Sequence, residues 1–230
     1  MTAFKQWLET ITETSIARKA ALGLGGLALV GGAIAGPAAS NSPETPAETP
    51  AIQAQARAPA PTAKEVDYQY ERQPNFYYCG PASTRIALTA NGHALSQDEV
   101  AAKLGTTTNG TDSAHDVTRV LNDVTGEGSY ETVSIPGEKA TQQQKDKLRA
   151  DIVDALRNGD AVVANIIGTA TDVDGNEHSY PGGHYLTVVG YRDDGRTVKI
   201  ADPYETRGDG TYWMSTDVLA DWIASRGYSA

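Results

Sequence analysis

The spacing of apolar residues changes several times along the chain, and each change marks an element. Ala82, Ile86 and Ala90 continue a face begun at Cys79, Pro81 is tolerated in a first helical turn, and Asn91-Gly92 supplies a stop. This predicts a helix with Cys79 at its N-terminus. Ser96-Gln97-Asp98-Glu99 is a capping-box pattern for a second helix ending at Gly105, and a third is expected from about Ala114 to Asp123, ahead of Gly126. Between them lies the polar loop TTTNGTD, residues 106–112. A strand is expected around Tyr130 to Ile135. Leu148, Ile152 and Leu156 then recur at helical spacing, predicting a long helix that begins after Thr141 and stops at Asn158-Gly159.

Beyond Gly159 the pattern becomes that of strands. AVVANII at 161–167, HYLTVVGY at 184–191 and TVKIA at 197–201 are rich in β-branched and aromatic residues, and a last helix, capped by Ser215 or Thr216, carries Leu219, Trp222 and Ile223. Val66, Tyr68 and Tyr70 alternate with polar neighbours as in a short half-buried strand. Helices come first and antiparallel sheet second. The fold class is therefore α+β, in one unit spanning residues 66–230.

The N-terminal part lacks this periodicity. Arg18 and Lys19 precede the apolar, glycine-rich run of residues 20–35, which is short for a membrane span, and Ala33-Ile34-Ala35 offers the small residues a signal peptidase requires. Residues 1–35 are thus expected to be an export signal, the alternative being a retained anchor. Residues 36–65, rich in Pro and Ala and free of aromatics, are expected to form a disordered spacer. The reading implies a secreted domain, associated with the cell wall if the spacer tethers it, and no stable membrane insertion once the signal is removed.

Charge narrows the partners. The +1 of residues 1–35 and the −1 of residues 36–65 cancel, so the net charge of −10 belongs to residues 66–230. An acidic domain argues against nucleic acid, whose binding depends on clustered Lys and Arg. Cysteine usage narrows the chemistry: the chain has 1 Cys, so no intramolecular disulfide can form. A lone thiol at a helix N-terminus is either a small buried hydrophobe or a nucleophile whose thiolate is stabilised by unpaired N–H groups and the helix dipole.

A nucleophile needs a base, and the chain has 4 His. His184 is the best placed, because Gly182-Gly183 leaves room for a ligand and because it begins a strand whose hairpin partner ends at Asp202. A three-residue turn at Asp193-Asp194-Gly195 would pair Arg192 with Arg196 and bring Leu186 opposite Asp202, with His184 as diagonal neighbour roughly 7 Å away. Asp202 would then orient the imidazole. Gln73, six residues before Cys79, is a candidate oxyanion donor.

These residues carry a family resemblance. Gln73-Pro-Asn-Phe-Tyr-Tyr-Cys79-Gly80-Pro81-Ala82, then Gly183-His184-Tyr185, then Ala201-Asp202-Pro203 resemble family thirty-nine of the cysteine peptidases, papain-like domains known for removing double-glycine leaders from bacteriocins. The resemblance covers residues 66–230. It implies a papain-like fold with an N-terminal helical half on an antiparallel sheet, a peptide or protein substrate, Cys79 as nucleophile, His184 as general base, Asp202 as orienter and Gln73 as oxyanion donor. Leader-processing members are fused to transporters, and this chain shows none. Two rival readings stay open: a cell-wall amidase or endopeptidase resembling NlpC-type or CHAP-type hydrolases, and an inactive peptide-binding module.

Other chemistry finds less support. DVDGNEHSYPGG at 172–183 has acidic residues without calcium-loop spacing and reads as a solvated turn, with His178 in it. His93 and His115 read as surface residues. No repeated Cys or His spacing points to a structural metal, and no cofactor is expected. Tyr77, Tyr78, Tyr180, Tyr185, Tyr204, Tyr212 and Trp213 flank the candidate site in sequence, either lining a groove or packing in the core.

Overall fold

A computed structural model describes residues 61–126 and 128–230. The proposed export signal and most of the spacer lie outside the described residues. Elements follow in the order β1 (Lys64–Glu65), α1 (Cys79–Ala90), α2 (Gln97–Leu104), α3 (Ala114–Thr125), β2 (Thr132–Ser134), α4 (Gln142–Asn158), β3 (Val162–Thr171), β4 (Glu177–Arg192), β5 (Thr197–Ala201), β6 (Thr211–Ser215), α5 (Thr216–Ile223) and β7 (Gly227–Ser229). The expected capping box at Ser96 is formed, whereas the last helix starts at Ser215 without the expected side-chain cap. Ser96 and Thr141 each make a capping box, and Gly105, Gly126 and Gly159 end their helices in the left-handed region that glycine enters without strain.

The strands form one antiparallel sheet in the order β2-β7-β3-β4-β5-β6, with β1 paired to β4 beyond the start of β3. Helix α1 packs against β4 and α5 against β3. Ile86, Leu88, Leu148, Ile152, Leu156, Ile166, Leu186 and Ile200, all buried, fill the space between helices and sheet. This is the α+β arrangement expected, with a helical half packed on an antiparallel sheet.

Several local expectations are corrected. Residues 66–70 are not a strand: Val66 is buried and its N–H donates to the Val189 carbonyl, but the paired segment is Lys64–Glu65, within what composition marks as spacer. Glu65 lies so close to Gly190 that a Cβ there would meet its Cγ at 2.7 Å, which is why β4 carries glycine at this point. The β3–β4 hairpin runs further than β-branched content indicates, to Thr171↔Glu177, because Thr169↔Ser179 and its neighbours pair despite their polarity.

The β4–β5 turn is also one residue longer than expected. Arg192 pairs with Thr197 rather than Arg196, around a 3₁₀ turn in which Asp193 and Asp194 both have positive φ. Left alone, that slip would move Asp202 to the other side of the strand from His184. Val189 prevents it. Standing as an extra residue between the pairs Val188↔Ile200 and Gly190↔Lys199, it forms a bulge that returns the register to Thr187↔Ala201.

Candidate active site

Cys79 is the first residue of α1, held there by a helix start with no side-chain cap and no acidic residue in its first turn. The N–H groups at this end are therefore not spent on a capping side chain. The Gly80 backbone hydrogen-bonds to the Cys79 sulfur, as does that of Tyr185. Gly80 is required for close packing, since a Cβ there would collide with the Thr111 side chain in the 106–112 loop. That loop is braced by a 2.8 Å hydrogen bond between the Thr106 and Thr111 hydroxyls and a Thr107↔Gly110 bridge.

One step beyond the Thr187↔Ala201 pair, Asp202 faces Leu186 and stands diagonal to His184. The His184 Nε2 lies 2.8 Å from Asp202 Oδ1. An ionised carboxylate only accepts, so Nε2 carries the proton and Nδ1 is left for the hydrogen bond that joins His184 to Cys79. Cys79, His184 and Asp202 thus form a hydrogen-bonded line.

Asp202 is 0% exposed, yet its carboxylate has a full set of donors. Besides His184, the Tyr204 N–H reaches Oδ1 at 2.9 Å, and the hydroxyls of Tyr180 and Tyr212 reach Oδ2 at 2.8 and 3.1 Å. Without them a buried carboxylate would tend to take up a proton. Tyr180 also stacks on the His184 ring at 4.0 Å between centroids, and Tyr204 meets that ring edge-on. The imidazole is therefore fixed in plane by Asp202 and out of plane by Tyr180.

Charge follows from these contacts. Burial works to lower the His184 pKa, but the Asp202 carboxylate outweighs it and raises the value to about 9. Burial works to raise the Cys79 thiol, and the hydrogen bond and charge of His184 reverse that, leaving it below an ordinary thiol. Asp202 is likewise lowered: burial opposes ionisation, and His184 with the surrounding donors overcomes it. All three directions favour a thiolate–imidazolium pair.

Gln73 is buried beside this line but is not joined to it. Its backbone N–H donates to the Pro203 carbonyl at 3.0 Å, tying it to the turn after Asp202, and its Nε2 donates to the Asn75 carbonyl at 2.6 Å. One Nε2 hydrogen is left over, and Oε1 has no partner among the described residues. No hydrogen bond links Gln73 to Cys79 among those residues.

Cys79 and His184 open onto a cleft of about 520 Å³ whose walls include Phe76, Tyr77, the 108–112 loop, Asn165, Gly182-Gly183, Tyr185 and Arg226. Phe76 is 79% exposed at its edge. Asn165 donates to the Tyr185 hydroxyl at 3.0 Å, and that hydroxyl donates to the Thr111 carbonyl, holding wall and loop together. Of the flanking aromatics, Tyr77 and Tyr185 line the cleft and Tyr180, Tyr204 and Tyr212 surround the His184–Asp202 pair. Tyr78 binds Asp98 and Trp213 stacks under Arg192. Sequence patterning gave no sign of Asn165, Thr111 or Arg226, because nothing in their local spacing marks them.

His178 is a correction. It is buried rather than solvated, with Nε2 3.1 Å from Asp172 and Nδ1 3.5 Å from Glu205, and it stacks on Tyr212. Asp172 accepts from the N–H groups of Asp174 and Asn176 and from the Asn176 amide, so it closes the hairpin turn.

Residues 65–230 match the model of the Peptidase_C39 like family. No curated protein matches the chain. Among solved structures it is similar to the peptidase domain of Streptococcus ComA, a bi-functional ABC transporter of a quorum-sensing pathway, at 19% identity, covering 71% of this chain and 96% of that one with a TM-score of 0.46. It is similar to a double glycine motif protease from an AMS/PCAT transporter in complex with its leader peptide, at 14% identity, 72% and 91% coverage and a TM-score of 0.44. It is also similar to xylellain, a cysteine protease from Xylella fastidiosa, at 12% identity, 75% and 86% coverage and a TM-score of 0.48.

Proposed function

We propose that this chain, which belongs to the Peptidase_C39 like family, is an active cysteine peptidase that cleaves peptide bonds with Cys79, His184, Asp202 and Gln73. The observation that carries the reading is the hydrogen-bonded line from the Cys79 thiol through His184 to Asp202, opening onto a cleft.

The chemistry follows from the geometry. The Cys79 thiolate adds to the carbonyl carbon of the scissile bond, and the carbonyl π electrons move to oxygen. That oxyanion is stabilised by the Cys79 N–H at the start of α1 and by the spare Nε2 hydrogen of Gln73. When the tetrahedral adduct collapses, the C–N bond breaks, and the proton on His184 Nδ1 goes to the departing amine. The neutral imidazole then takes a proton from water, whose oxygen attacks the thioester and releases the acid, restoring thiolate and imidazolium. Asp202 remains ionised throughout, holding Nε2.

The same reading places the enzyme outside the cell. It is supported by the sequence of residues 1–35, with Arg18-Lys19, an apolar run and Ala33-Ile34-Ala35, and by a spacer that would set the domain off the wall or membrane. Expression of the full chain with N-terminal sequencing of the medium fraction checks the location. Activity is checked by digesting a peptide library with the wild type and with Cys79→Ala: cleavage by the first alone is expected, and cleavage by neither, or equally by both, would contradict the reading.

A further inference from the structure

Arg226 lines the cleft that holds Cys79 and His184, and its charge is unanswered. It sits in the turn between α5 and β7, half-buried, with its Nε fully enclosed and without a hydrogen-bond partner among the described residues. No ion pair reaches it there. Asp112 lines the same cleft and makes no ion pair among the described residues either. Most other arginines among the described residues find carboxylates, as Arg85 does with Glu71, Arg149 with Asp146 and Arg207 with Glu205.

The guanidinium is held where it is by the backbone. The Arg226 N–H donates to the Ile223 carbonyl at 2.8 Å, its carbonyl accepts from Ile135 at 3.1 Å, and Ser225 before it is fixed in the left-handed region with its N–H on the Ile135 carbonyl. The tip passes the segment leading to His184: a Cβ on Gly183 would stand 3.7 Å from Arg226 Nη2, and Gly183 itself has φ of +92°. Gly182, with nothing within 4 Å of its would-be Cβ, leaves the wall open beside it. A guanidinium stays charged at every working pH, and partly burying it without a partner is unfavourable. An anion arriving from solvent removes that penalty and finds a planar set of donors suited to a carboxylate.

We infer that Arg226 is a specificity residue of the cleft, binding a carboxylate of the substrate peptide carried either by an Asp or Glu side chain or by a free C-terminus. This rests on the peptidase reading of the same site. Neutral peptides without such a group would lack the contact, and the uncompensated guanidinium would select against them.

The test uses matched fluorogenic peptides that carry Asp or Glu, or the isosteric Asn or Gln, at each position near the scissile bond, each made with a free and an amidated C-terminus. For the wild type the carboxylate form of one position is expected to be favoured in kcat/KM by about 10- to 100-fold. That ratio should fall toward one in Arg226→Met and stand between in Arg226→Lys, which keeps the charge and loses the fork. Preference at a side-chain position identifies an acidic residue, and preference for the free C-terminus identifies the terminal carboxylate. A second arm does not depend on proteolysis: the rate of Cys79 alkylation by iodoacetate divided by that by iodoacetamide, which should drop in Arg226→Met. Both readouts are ratios within one preparation, so partial unfolding does not imitate the effect. If the wild type cleaves nothing while the alkylation ratio still falls, the peptidase reading fails and the carboxylate site stands. Equal handling of carboxylate and amide by the wild type, or an alkylation ratio untouched by Arg226→Met, overturns the inference.

Discussion

His184 and Asp202 meet at 2.8 Å across two strands whose turn, taken alone, would have kept them apart. The bulge at Val189 offsets the extra residue of the turn, and the imidazole arrives beside a carboxylate already held by Tyr180, Tyr212 and the Tyr204 N–H. The charge state of Cys79 depends on that pairing.

Asp202→Asn should therefore change the pH profile as well as the rate. A raised imidazole pKa means that His184 is protonated below about 9 and loses the proton as pH rises through that value, while the lowered Cys79 value sets the acid limb. Activity is expected between the two limbs. Replacing the carboxylate removes the main influence raising His184, so the alkaline limb should move to lower pH and kcat should fall on the order of 10²- to 10⁴-fold. Rates measured from pH 5 to 10 on wild type and variant check both points.

Gln73→Ala tests the oxyanion role separately. The variant loses the amide bond to the Asn75 carbonyl, but that carbonyl still accepts from the Tyr78 N–H and the backbone N–H of residue 73 still donates to the Pro203 carbonyl, so it should fold. A loss of about 10²- to 10³-fold in kcat with little change in KM is expected of an interaction made only in the transition state. Unchanged kcat would assign Gln73 to holding the 73–75 loop alone.

The hairpin that carries His184 has its own electrostatic lock. Burial works against ionisation of Asp172, but its bonds to Asn176, His178 and Asp174 prevail and lower it to about 2. A depressed carboxylate contributes stability above its unfolded value of about 3.9, and the contribution is lost as pH falls through about 2. Asp172→Ala should thus destabilise by about 1–3 kcal/mol at neutral pH, with the deficit shrinking below pH 4. Urea unfolding at pH 7 and pH 3 measures it.

The helices were legible because their signals are local. Ser96 with Glu99, Thr141 with its apolar repeat, and the terminal glycines each sit within a few residues of the end they define. Cys79 at a helix start, and a histidine strand paired to the strand before Asp202, were legible for the same reason. The length of the turn and the bulge were not, since a turn and a bulge that each add one residue cancel, and the sequence shows neither. Arg226, Asn165 and Thr111 reach the cleft from distant parts of the chain through tertiary packing alone. The burial of His178 is not legible locally, because its partner Glu205 is brought in by the loop after β5.

The proposed activity depends on Cys79 being a thiolate paired with His184. Because the chain has 1 Cys, alkylation by iodoacetamide followed by mass spectrometry reports that thiol without ambiguity. Reaction with a midpoint well below the ordinary thiol value of about 8.5, moving up in His184→Ala, is the predicted result. A Cys79 that reacts only above that pH, with or without His184, would contradict it.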